Sequence, residues 1–390
     1  MLFLEPKRPF FVLLLLAGML ACRSRSTESS LLNRSQNPQE KVSVKHARHF
    51  SIQQYANFSL LSLRKPFTDS PDSLQVLLVP HDKPVPEGYE KASLVRVPVR
   101  RVVVLSHTQL AFLQVLGKEE SVVGINESAY LPDTVFLQKI RAGAVKDVSN
   151  AQGVLNLESI LALKPDLVVF SGLSAESFRQ NQALASAGIP LLINSEWLET
   201  SPLGRAEWIK MMALFFEPAV LQKAIKHFGE VEKNYLALQE KTKMARPRPK
   251  VLWQVPYKDT WYVPGGESYV ARLLLDAGGD YLWKNEKGTA SLPFDFETVY
   301  ARRNEADFWI SLGIVRSKKE LLDIDARFAD FKPFANGQLY NDHRQANPQG
   351  GNPYWMQGIV YPDKVLADLI KILHPGLLPK HAWVFFQKVE

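Results

Sequence analysis

The sequence predicts an α/β protein of two lobes, each built on a parallel sheet, joined by one long helical stretch and preceded by a segment of short strands and hairpins. Three observations lead there. Continuous apolar strands alternate with capped amphipathic helices twice along the chain, between residues 101 and 193 and between residues 251 and 373. Between the two series, residues 202–243 carry apolar side chains at three- and four-residue steps (Ala206, Ile209, Ala213, Phe216, Val220, Ala224, Phe228, Val231, Tyr235, Leu238). Before both, residues 46–97 read as short alternating stretches broken by Pro, Asp and Gly clusters.

Taken in order, the strands of the first segment fall at 50–52, 58–63, 74–79 and 94–97. The rhythm then changes. Arg101 opens the buried strand Val102-Val103-Val104-Leu105, and Ser106-His107-Thr108 leads into a helix marked by Leu110, Phe112, Leu113 and Leu116 and closed by Gly117. Strands at 121–125, 166–170 and 190–193 alternate with helices near 135–140, 157–163 and 175–187. Pro218 either kinks the linking stretch or separates two helices. The second series has strands at 251–255, 307–312 and 338–340, with helices near 269–277, 297–301 and 362–373.

Composition narrows the class. At 390 residues with 46% hydrophobic and 22% charged side chains, the chain is too apolar for disorder and too long for one small core. Its net charge of +7 does not describe a basic face, because eight Lys/Arg against three Asp/Glu lie in the first 48 residues. The remainder is nearly neutral, which argues against nucleic acid as a partner.

Lys7 and Arg8 precede an apolar run over residues 10–21, the length of a signal h-region and too short to span a bilayer. The run ends Met19-Leu20-Ala21-Cys22, and Cys22 is the only cysteine, so it has no intrachain disulfide partner. That placement resembles a bacterial lipobox, which implies lipidation of Cys22 and a membrane-anchored lipoprotein of the periplasm; an ordinary signal peptide cut near Cys22 is the alternative. The expected organisation is a signal peptide (1–22), a Ser-, Arg- and Asn-rich tether (23–40), a β extension (41–97), a first α/β lobe (98–200), a linking helix (201–245) and a second α/β lobe (246–390).

From Arg101 onward the order of motifs resembles the helical-backbone (class III) periplasmic solute-binding proteins of ABC importers for cobalamin, haem and ferric siderophores. The resemblance rests on the first strand and its loop, on Asn156-Leu157-Glu158-Ser159-Ile160-Leu161-Ala162-Leu163-Lys164-Pro165-Asp166, on the long linking stretch, on Gly265-Gly266-Glu267-Ser268 and on Phe296-Glu297-Thr298-Val299. Ser201-Pro202-Leu203-Gly204-Arg205-Ala206-Glu207-Trp208 and Asn352-Pro353-Tyr354-Trp355 look like a subgroup found in Bacteroidetes-type bacteria. It implies two Rossmann-like lobes on a backbone helix, with the ligand held between them and handed to a permease. The segment before Arg101 is outside the common family core.

A corrinoid, porphyrin or siderophore is large and partly flat, so aromatic residues on loops after strands are the informative ones. Tyr130 stands where the resemblance places a first-lobe wall. Trp261 and Tyr262 precede the Pro264-Gly265-Gly266 turn and are expected at the mouth of the second lobe. Ser106 and His107 follow the first strand, where Ser106 or Thr108 also suits a helix N-cap. Tyr354 and Trp355 follow a Gly-Gly-Asn-Pro turn and suit either the ligand or the core equally. The eight scattered histidines show no metal-binding spacing, although His107 or Tyr130 would suit an axial position on haem iron.

No P-loop, nucleophile elbow or dinucleotide fingerprint is present, so an enzyme is not expected and a chelatase-like activity is the residual catalytic reading. Glu158 and Glu297 each begin a helix, where a carboxylate favours the dipole and can cap. The resemblance implies more: they match the family's surface glutamates, one per lobe, that dock on the importer's transmembrane subunits. The expected function is an extracytoplasmic binding lipoprotein for an iron complex or cobalamin, with a permease-free surface scavenger as the alternative.

Overall fold

The structure, a computed structural model, describes residues 42–69, 72–150 and 153–390. The leader, Cys22 and the whole tether (23–40) lie outside the described residues. Strands β1 (Phe50–Gln54), β2 (Ser59–Arg64), β3 (Ser73–Pro80) and β4 (Ser93–Val97) form a four-stranded sheet in that order. The first two pairings are antiparallel, as hairpins require, but β3 and β4 run parallel. Residues 81–92 are therefore a crossover rather than a turn, covering the outer apolar cluster of Phe58, Leu60, Leu77 and Val79 with Tyr89.

The first lobe holds β5 (Val102–Val104), β6 (Val122–Ile125), β7 (Lys146–Asp147), β8 (Leu167–Ser171) and β9 (Leu191–Asn194), all parallel, in the order β7-β6-β5-β8-β9. Val102, Val103 and Val104 are buried on both faces, which is why this strand reads as an unbroken apolar run. The second lobe holds β10 (Lys250–Trp253), the antiparallel pair β11 (Thr260–Pro264) and β13 (Ser291–Asp295), β12 (Asp280–Tyr281), β14 (Phe308–Ile310), β15 (Leu339–Asn341) and β16 (Gln387–Lys388). Its main sheet has the order β12-β10-β14-β15-β16, parallel except for the last pair. The result is a mixed α/β architecture with two parallel-sheet lobes.

Of the two alternatives at Pro218 the structure has the second: the stretch 202–243 is two helices, Pro202–Ala213 and Pro218–Thr242, because Pro218 occupies a first-turn position where its missing N–H costs nothing. The helix foreseen at 175–187 is likewise divided into Ala175–Arg179 and Gln182–Ser186. By contrast, Leu157–Leu163 and Pro362–Leu373 have the foreseen bounds, and Gly117 ends His107–Leu116 with φ +70, a left-handed C-cap that favours glycine.

The β extension is not an appendage. Its side chains Phe50, Ile52, Leu61, Leu63, Val76 and Leu78 belong to the same core as the first lobe. Residues 45–49 lie as a strap against the helix Pro202–Ala213, held by two buried carboxylates. Glu207 accepts from the backbone N–H of Lys45 (2.9 Å), His46 (2.6 Å) and Ala47 (2.9 Å), and Glu199 from those of Arg48 and His49 (both 2.9 Å). Lys210, also buried, pairs with Glu207 at 2.7 Å and donates to the Ser43 carbonyl at 2.8 Å. A buried charge is tolerable only when paired and hydrogen-bonded, and here the strap supplies much of that satisfaction.

Removing the carboxylate leaves three strap amides without their acceptor and the buried Lys210 ammonium without its counter-charge. Glu207→Ala is therefore expected to lower stability by about 3–5 kcal/mol in urea denaturation, and to open the strap to proteolysis within residues 42–49 before the rest of the chain is cut.

Candidate ligand-binding cleft

In an open parallel sheet the crevice forms beyond the carboxyl ends of the strands, where the strand order reverses direction. In the first lobe that point is between β5 and β8, and in the second between β10 and β14. Three cavities of about 340, 330 and 410 Å³ lie there, and Trp355 lines all three. The first lobe contributes Ser106, His107 and Thr108 after β5, Asn126 and Glu127 after β6, Ser171 at the end of β8, and Glu196 and Trp197 after β9. The second contributes Gln254 and Val255 after β10, Ser311 and Gly313 after β14, and Asp342 and His343 after β15.

Trp355 sits on the short helix Pro353–Gln357, whose residues divide between the lobes. Tyr354 packs in the second-lobe core, while Met356, together with Ile359 and Val360 just beyond, packs in the first-lobe core. The backbone therefore crosses the cleft floor here and leaves the Trp355 indole 60% exposed inside it. On one side the lobes also touch where Asn347 Nδ2 donates to the Leu131 carbonyl at 3.1 Å. Across the other side the Arg205 guanidinium lies 4.1 Å from the centroid of the Tyr269 ring.

Ser106 closes a capping box with Gln109, as foreseen for an N-cap, and also lines a cavity. His107 Nε2 is 3.3 Å from the Asn126 carbonyl, so that nitrogen donates and Nδ1 keeps the ring's lone pair. Burial pushes the imidazole below its ordinary value, with the Asn126 carbonyl opposing, so His107 is neutral near pH 7. Tyr130 (58% exposed) and Tyr262 (46% exposed) both stand on cavity walls.

Trp261 is a correction. It lies on β11 rather than on a loop, and β11 pairs with β13, so side chains alternate between faces. Tyr262 faces outward, and Trp261 is fully buried among Trp309 (5.7 Å), Phe328 (6.0 Å) and Phe331 (6.1 Å). Tyr354 is mainly a core residue against Phe385 and Phe386, with one edge on the cavity beside Arg205.

The glutamates are corrected in a different sense. Asn156 caps Leu157–Leu163 and Asp295 caps Phe296–Tyr300, so neither Glu158 nor Glu297 is the N-cap. Both are first-turn residues on the surface, and Glu297 pairs with Arg327 at 3.0 Å. Several cleft residues escaped sequence reasoning: Arg205, Glu196, Trp197, Gln254, Asp342 and His343. The last two directly follow the strand foreseen at 338–340, so the strand-end rule had the signal to find them. Among the described residues no group of three or more His, Cys, Asp and Glu is placed to hold a metal ion, and no helix is long and apolar enough to cross a membrane.

Residues 102–346 match the family described as periplasmic binding protein. The chain belongs to that family. An uncharacterised lipoprotein of Methanocaldococcus jannaschii is 29% identical over 331 residues, covering 80% of this chain and 75% of that one. A vitamin B12-binding protein of Vibrio campbellii is 27% identical over 57% of this chain and 75% of its own length. Among solved structures, a periplasmic haem-binding protein of Pseudomonas aeruginosa superposes with a TM-score of 0.55 at 17% identity over 75% of this chain and 98% of its own. A periplasmic vitamin B12-binding protein of Vibrio cholerae does so with a TM-score of 0.52 at 16% identity over 73% and 99%. These two share the fold of this periplasmic binding protein.

The two tryptophans separate core from cleft. Trp261→Ala is expected to cost about 3–5 kcal/mol of stability in thermal or urea unfolding, whereas Trp355→Ala, removing an exposed ring, is expected to leave stability within about 1 kcal/mol and to reduce the fluorescence quenching produced by a ligand in the cleft, where Trp197 and Trp253 remain.

Asp342 gives a pH signature. It accepts from Ser311 Oγ (3.1 Å) and Asn352 Nδ2 (3.0 Å), yet burial outweighs both and pushes its carboxyl from 3.8 to about 6. The folded state thus holds this proton more tightly than the unfolded state. Stability from Asp342 rises as pH falls from about 6 towards 3.8, by on the order of 2–3 kcal/mol. Urea midpoints of Asp342→Asn measured at pH 4.5 and 7 are expected to lack this increment.

Proposed function

We propose that this periplasmic binding protein captures an iron complex, as ferric siderophore or haem, or cobalamin between its lobes and delivers it to an ABC permease, held at the membrane by a lipid on Cys22. The observation that carries the reading is that three cavities at the strand ends share Trp355 as a lining residue, with Tyr130, Tyr262 and Tyr257 on their walls, which supplies aromatic surface for a large, partly flat ligand. Ser106 and His107 border the same space and would fix the ligand's orientation. The family and the haem- and B12-binding relatives support the ligand class. The archaeal relative named a lipoprotein supports the anchor. On this reading the site binds and releases its ligand without altering it.

Docking is assigned to Glu158 and Glu297. Each projects from the first turn of a helix whose capping is done by a neighbour, so its carboxylate is not needed by its own helix. Arg327 holds Glu297 beside the Phe296 ring, and a permease cation would compete with that surface pair.

Tryptophan fluorescence titration with haem, cobalamin and a siderophore panel tests the cleft; absence of saturable quenching by every member would overturn it. Glu158→Ala with Glu297→Ala is expected to leave unfolding and ligand affinity unchanged while abolishing ligand uptake and stimulation of the permease ATPase. Full uptake by the double variant would return both residues to ordinary surface, and failure of the ligand-loaded wild type to stimulate any permease would favour the permease-free scavenger. Insertion of metal into a free tetrapyrrole by the wild type would favour the chelatase reading.

A further inference from the structure

Arg205 is the most unusual charge in the cleft. It comes from the first turn of Pro202–Ala213 and lines the cavity formed with Glu196, Trp197, Tyr269, Tyr354 and Trp355. Its guanidinium donates from Nε to the Glu199 carbonyl (3.1 Å) and from Nη2 to the Trp197 carbonyl (2.8 Å), and stacks on Tyr269. A guanidinium has five N–H donors, so three are left without an acceptor among the described residues.

No carboxylate pairs with it. Glu196 is turned to Thr108 Oγ1 at 2.8 Å, and burial raises its carboxyl above the ordinary range, weakening it as a counter-charge. Glu199 is spent on the strap amides and on Trp208 Nε1 at 3.1 Å. Tyr269 and Tyr354 are both pushed up by burial and are neutral. Next to Arg205, the Trp197 indole N–H is buried and has no partner either. The buried Trp197 N–H is costly while it lacks an acceptor, and the free guanidinium N–H groups beside it are donors open to whatever enters the cavity. The rest of that wall mixes apolar side chains (Trp253, Pro264, Val270, Ile359) with neutral polar ones (Gln254, Ser268, Thr289, Ser291), so Arg205 is the one cation on it.

Resting on the cleft reading above, we propose that the ligand carries an anionic oxygen group, carboxylate or catecholate in kind, and that Arg205 with the Trp197 N–H receives it while the apolar body lies against Trp355. Arg205 is then the residue that separates anionic from neutral members of one ligand shape. The guanidinium is positioned before binding by its two carbonyls and the Tyr269 ring, so little rotamer entropy is lost when the anion arrives.

Matched pairs test this in the full chain by tryptophan fluorescence: protoporphyrin IX against its dimethyl ester, and a ferric tricatecholate against a ferric trihydroxamate. In whichever pair binds, the anionic member is expected to bind about tenfold tighter or more. Arg205→Gln is expected to erase that preference while holding the neutral member within about twofold, and Arg205→Lys to restore part of it. Equal affinity of the wild type for both members overturns the inference while leaving the cleft intact, and so does a preference that survives Arg205→Gln. If Arg205→Gln does not fold, the wild-type comparison decides alone. Failure of all four probes and of cobalamin to bind removes the cleft reading and this inference together.

Discussion

The molecule depends on one helix that has no solvent face. In Pro202–Ala213 every residue except Arg205 is buried, and its neighbours differ from turn to turn. Leu203 belongs to the second-lobe core, Ala206, Trp208 and Ile209 to the first, Glu207 and Lys210 to the strap, and Arg205 to the cleft. A helix buried all round has no amphipathic stripe to orient it, so its polar side chains fix its position by requiring partners in particular directions. Glu207 is the strongest of these requirements, because a charged carboxylate with no water must be met by donors, and the strap amides are what meet it.

This constraint links the β extension to the ligand site. The extension precedes the matched family region, yet its amides satisfy Glu199 and Glu207, whose own segment carries Arg205 and Trp197 into the cleft. A chain tethered through its N-terminus would therefore be joined to the helix between the lobes rather than to either lobe's outer face.

The cleft follows from topology applied twice. Two parallel sheets, each with its order reversing beside its first strand, present their strand ends to one another, and short loops after β5, β6, β10, β14 and β15 supply the polar residues. The crossing helix at Trp355 then closes the floor. On the two-stranded sheet of the second lobe the neighbouring aromatics divide by pleat, with Trp261 inward against Trp309 of the main sheet and Tyr262 outward.

The sequence by itself determined the alternation of buried strands and capped helices, the two lobes, the four strands of the extension and the bounds of helices such as Leu157–Leu163 and Pro362–Leu373, because each rests on local periodicity and capping chemistry. It also carried the family's motifs, and with them Ser106, His107, Tyr130, Tyr262 and Trp355 as residues that reach the cavities. Tertiary structure alone decided the parallel pairing of β3 with β4, the burial of Trp261 and the capping by Asn156 and Asp295. It alone decided the meeting of Glu207 with residues 45–47, more than 150 positions away in the chain. Those outcomes turn on which face a strand presents and which distant donor reaches a buried charge. Neither leaves a periodic trace, since a glutamate bound for solvent and one bound for a buried amide cradle are spelled alike.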